Sequence, residues 1–155
     1  MKKTILLLTI LFFGGNVAFS QEEHHKEKAE YSKMDTQLEH LMDSAAKHMI
    51  YFILSQKEQE YSNSMAIISQ ADSLYNKMVK VVSTHKGNHQ VTEQDELTDR
   101  KEELGAYKDT KLKQSIMAET AKQRTEKVKF HGKSYLLSAK SKSKFEVFEE
   151  YLPRN

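Results

Sequence analysis

No cysteine occurs in the 155 residues, and proline occurs once, at Pro153. Without cysteine there are no disulfides, no thiol chemistry and no lipid anchor on a cysteine, so packing alone must hold the fold. Glycine is scarce as well: beyond residue 20 only Gly87, Gly105 and Gly132 remain. Lys, Glu, Gln, Ala, Leu and Met are plentiful, and a chain so poor in turn formers favours long helices over a turn-rich sheet. A long hydrophobic run is also missing. The longest, Ile5 to Phe13, is about nine residues, against the roughly 20 that a membrane-spanning helix needs.

That short run has a specific setting. Lys2 and Lys3 precede it, and Ala18-Phe19-Ser20 follows as a small-x-small site before polar Gln21. This is the pattern of a secretory signal peptide over residues 1–20, and it places the expected mature chain, 21–155, in the periplasm or outside the cell. After cleavage the chain is expected not to span a membrane. A net excess of one charge is lacking too. Of 24 Lys and Arg against 22 Asp and Glu, two basic residues belong to the signal segment, which leaves the mature chain near neutrality. No cofactor is implied, and a nucleic-acid partner is not expected outside the cytoplasm.

Residues 21–33 are charged without an apolar stripe, as in a frayed helix start or a mobile arm. A single helical domain is expected over 34–152. Met34, Leu38, Leu41, Ala45, His48 and Phe52 alternate steps of four and three, the mark of an amphipathic helix. The stripe breaks at Ser55 to Glu60 and resumes, one residue out of phase, at Tyr61, Met65, Ile68, Asp72, Tyr75, Val79 and Val82. A bend near Ser62-Asn63-Ser64 or a stutter in one long helix would explain the slip, and the single bent helix is the reading adopted.

Lys86-Gly87-Asn88 is the strongest turn signal. Thr92 then resembles an N-cap, opening a helix through Leu97, Leu104, Tyr107, Ala118, Ala121 and Val128. Its stripe is thin beyond Leu104, which points to apolar surface completed by a protein partner or by a second copy in a homodimer. His131-Gly132 marks another break. A β-hairpin over Val128 to Leu137 is the alternative to helix there. Phe145, Phe148 and Leu152 share a face of the last helix, which Pro153 stops. The expected fold is therefore all-α: a long helical hairpin or small helical bundle with a shorter C-terminal helix.

Chemistry-bearing residues are few. Phosphate-binding glycine loops, nucleophile elbows and His-Glu-x-x-His are all absent, so no catalytic residue is nominated. Metal binding, to copper or zinc, would fall to His24 and His25 near the start and to His85 and His89 around the Gly87 turn. His40 and His48 lie roughly 12 Å apart on one helix and cannot share an ion. Six methionines beyond Met1 fall mostly on the core stripe. If exposed, such a face would suit varied clients, as in a chaperone-like protein.

Charge distribution is more telling than charge total. Lys122, Arg124, Lys127, Lys129, Lys133, Lys140, Lys142 and Lys144 crowd one segment that holds a single acid, Glu126. Acidic residues concentrate in Glu22 to Asp43 and Glu93 to Glu103. Either the basic segment lies against those acidic helices or solvates a surface, or it forms a face, with Phe130 and Tyr135 near it, for an anionic lipid, glycan or other envelope surface. The expected function is that of an exported, non-catalytic helical binding or chaperone-like protein of the bacterial envelope. Weak divalent-metal binding and anionic-surface binding are the alternatives.

Overall fold

The computed structural model describes residues 2–85 and 88–153, with side chains from 25 to 85 and from 90 to 153. Helix α1 (Lys2–Ser55) is followed by α2 (Glu58–Val82), α3 (Asn88–Tyr107) and a short α4 (Leu112–Met117). A single 3-10 turn at Ala121–Gln123 then leads into strands β1 (Glu126–Phe130) and β2 (Lys133–Leu137), and α5 (Ala139–Glu150) closes the chain. The chain is thus mostly helical: a long α1–α2 hairpin with α3, a short C-terminal helix and one small two-stranded hairpin.

Two helices, not one bent helix, occupy the first half. Gln56 adopts φ of 55°, the left-handed conformation that ends a helix, and its N–H donates to the Phe52 carbonyl at 2.8 Å. The chain reverses there, so α2 runs back along α1. His48 Nδ1 meets Glu60 Oε2 at 2.7 Å, and Ser64 Oγ donates to the Ala45 carbonyl at 2.9 Å. Ser62-Asn63-Ser64 is accordingly no bend. Ser64 is a buried contact inside α2, small enough to sit against the α1 backbone. The one-residue phase slip in the stripe is the new face α2 presents after the turn. For the same reason Met78 is fully buried where Val79 was expected, and Val79 is 40% exposed.

The second reversal falls between α2 and α3 as expected, although residues 86 and 87 lie outside the described residues. Lys108 at the end of α3 reaches Asp72 in mid-α2 at 2.8 Å, while His85 meets Glu93 at the other end, so α3 runs antiparallel to α2. Thr92 lies inside α3 and does not cap it.

The long helix expected from Thr92 to Val128 ends at Tyr107. Asp109 then turns the chain by accepting from the Lys111 N–H at 3.0 Å, and Leu112 and Ile116 bury one face of α4. The stripe looked thin because it mixes two helices with a strand.

In the antiparallel ladder Val128 pairs with Tyr135 and Phe130 with Lys133, around a two-residue turn. His131 at φ 46° and Gly132 at φ 75° give that turn the left-handed pair matching the twist of the strands. The Ser-Lys run that follows is the start of α5. Ser138 caps it by accepting from the Ser141 N–H at 3.0 Å.

Helix α1 packs against α2, α5 and β2. Leu38, Ala45, Met49, Phe52 and Ile53 of α1 are fully buried, as are Tyr107 and Leu137. Each large side chain so buried contributes about 1.5–3 kcal/mol. Tyr31, within the segment read as an arm or frayed start, is also buried. Among the described residues no helix is long and apolar enough to cross a membrane.

Candidate functional site

Strand alternation sorts the hairpin into two faces. Val128, Phe130 and Leu137 point inward and are buried, with Phe130 edge-on to Tyr51 (5.6 Å between centroids) and to Phe145 (5.9 Å). On the outward face the register sets Lys127 opposite Leu136 and Lys129 opposite Ser134, and all four are exposed. Leu136 is 56% exposed, an apolar side chain beside two cations on a flat two-stranded surface. Leu136 was expected from the sequence to be a core residue, and it is not. As a strand residue it faces out, and its neighbour Leu137 fills the core.

The eight basic residues of the segment divide by role. Lys127 and Lys129 face outward, and Lys122, Lys133 and Lys140 are exposed; none of the five makes an ion pair among the described residues. Lys142 lies 4.0 Å from Glu126 and 3.7 Å from Glu146, and Lys144 lies 3.3 Å from Asp109. The Lys111 N–H and the Lys144 ammonium hold the Asp109 carboxyl below the usual range.

Arg124 turns inward. Its Nη2 donates to the Ile53 and Leu54 carbonyls at 2.9 Å each, and its Nε donates to the Leu136 carbonyl at 2.9 Å. Nη1 stands 3.5 Å from Glu119 Oε2, and Glu119 Oε1 accepts from Ser138 and Ser141. This buried cluster satisfies the last carbonyls of α1 and locks the hairpin to them. The partners of the basic segment are thus Glu119, Glu126, Glu146 and Asp109. The acidic stretches of α1 and α3 instead face each other, joined by Arg100 and Asp35 at 3.1 Å.

The histidines are scattered. His25 is exposed on α1, and the side chains of His24 and His89 lie outside the described residues. His85 is buried, with its Nδ1 2.6 Å from Glu93 Oε2. Among the described residues no three His, Asp or Glu side chains converge as metal ligands would.

No protein-family model, curated protein or solved structure matches the chain. The alternation Lys127-Val128-Lys129-Phe130 was the signal for the outward basic face. Nothing in the sequence marked Glu119, or the inward role of Arg124.

Proposed function

We propose that this is an exported, non-catalytic binding protein that engages an anionic phospholipid surface through the outward face of its β-hairpin. The observation that carries the reading is the exposed Leu136 opposite Lys127 and diagonal to Lys129, neither lysine making an ion pair among the described residues. A lysine near an anionic bilayer gains about 1 kcal/mol, and the gain fades within a Debye length of the surface. Leu136 adds an apolar contact that an acidic glycan would not reward, which favours lipid over glycan. Lys122 and Lys133, exposed nearby in sequence, reinforce the positive field.

A client-cradling methionine face has less to stand on. Met42, Met49 and Met78 are buried, and of the described methionines only Met117 is prominently exposed.

Flotation of the protein with phosphatidylglycerol vesicles, and separately with phosphatidylcholine vesicles, tests the proposal. Binding to the first alone, weakened by salt, is expected. Equal binding to both, or to neither, contradicts it.

A further inference from the structure

Helices α1 and α3 are bridged by side chains: Tyr31 donates to the Glu93 carbonyl, Arg100 pairs with Asp35, and Tyr107 donates to the Met42 carbonyl. The bridges leave hollows between them. In one of these Arg100 supplies the cation, its guanidinium 3.1 Å from Asp35 and 3.4 Å from Glu103. Toward the α2–α3 turn the same two helices line a second cavity of about 290 Å³, built from Lys28, Tyr31, Ser32 and Asp35 on α1 and Thr92, Glu93 and Glu96 on α3. Of its three carboxylates Asp35 is paired with Arg100, which leaves Glu93 and Glu96 against the single cation Lys28.

Glu93 is the informative member. It is only 4% exposed, and although His85 serves its Oε2, its Oε1 is buried without a hydrogen-bond donor. A buried acceptor left unserved costs about 1–3 kcal/mol, so native proteins rarely keep one without a use. Independently, burial and the neighbouring carboxylates, Glu96 first among them, push the Tyr31 phenol well above its ordinary pKa, as a strongly negative local field would.

We infer that this cavity between α1 and α3 binds a primary ammonium group, with Glu93 and Glu96 as acceptors, Asp35 being held by Arg100. An alkylammonium has three donors to distribute among carboxylates and a stem that packs on the face of Tyr31. A bare metal ion fits less well, because no three ligands converge among the described residues. The ammonium belongs either to a free polyamine or to a lysine side chain of a peptide. The site stands apart from the hairpin: Tyr31 and Tyr51 are about 30 Å apart along α1.

Calorimetric titration of the full chain with putrescine and with trilysine tests the inference, with tetramethylammonium as a cation lacking N–H donors. Saturable binding of at least one amine is expected, weakened about tenfold or more in Glu93→Gln and in Glu96→Gln. It should be unchanged in Glu149→Gln, whose exposed carboxylate lies on α5. Tighter binding of trilysine assigns the group to a peptide, and tighter binding of putrescine assigns it to a free amine. No saturable heat, equal binding of tetramethylammonium, or an unaffected Glu96→Gln overturns the inference. Because Glu96 is exposed, its substitution leaves the fold intact and decides the matter even where Glu93→Gln does not fold.

Discussion

The guanidinium of Arg124 donates to the Ile53 carbonyl at 2.9 Å across 71 residues of sequence. One side chain thereby closes the C-terminal end of α1, and through its Nε bond to the Leu136 carbonyl it fixes the hairpin on that end. The candidate surface owes its position to this contact.

Arg124→Ala is therefore expected to destabilise the protein by about 3 kcal/mol, since Glu119 would be left buried without its charge partner. Arg124→Lys should recover little, because a single ammonium cannot serve three carbonyls that a planar guanidinium reaches at once. Urea unfolding followed by circular dichroism measures both.

The hairpin turn gives a second expectation. Gly132 sits at φ 75° with nothing within 4 Å of the position a Cβ would take, so Gly132→Ala meets backbone strain and no clash. A loss of about 1 kcal/mol in the same unfolding experiment is expected.

Much of the helical plan could be read from spacing. Leu38, Ala45, Phe52, Ile53, Ile68, Val82, Leu97, Leu104, Tyr107 and Phe148 were expected in the core, and all are buried. The reversal at Gln56 was hidden because the residue in the left-handed conformation is a glutamine. Its side-chain amide is tied to the Ile116 and Glu119 carbonyls at 2.6 and 3.1 Å, a tertiary compensation that no local pattern reveals. The strands were hidden differently. Five residues each, they are too short for alternation to prevail over a helical reading of Leu136 and Val128. Of the candidate site, the lysines were legible as a charge run. Which of them face solvent, and which is Arg124's exception, followed from strand register and from Glu119.

Alkaline pH should unfold the protein through its buried phenols. Burial, first, raises the pKa of Tyr107 and of Tyr31 in the folded state, with nearby carboxylates adding to it. For groups whose folded pKa lies above the unfolded value, stability is full below the unfolded pKa, near 10, and is lost as pH rises toward the folded values. Stability is expected to decline above about pH 10, and Tyr107→Phe should flatten the decline. The same variant gives up about 1 kcal/mol at neutral pH with its bond to the Met42 carbonyl. Thermal unfolding from pH 7 to pH 11 follows both effects.

Asp43 bears on the acid side with the opposite consequence from a paired carboxylate. Partial burial, its largest influence, raises its pKa despite Lys47 nearby. The ionised form is thus disfavoured in the fold, and stability from this group falls as pH rises through the carboxylate range. Asp43→Asn should stabilise the protein at pH 7 and lose that advantage at pH 3, which denaturant midpoints at the two pH values would show.

Charge reversal on the outward face of the hairpin tests its role as the interface most directly. Lys127 and Lys129 are exposed and make no ion pair among the described residues, so Lys127→Glu/Lys129→Glu should leave stability within about 0.5 kcal/mol of the parent. Co-sedimentation with phosphatidylglycerol vesicles is expected to show binding by the parent chain and none by this folded double variant. Undiminished binding by the variant would contradict the assignment of the hairpin as the interface.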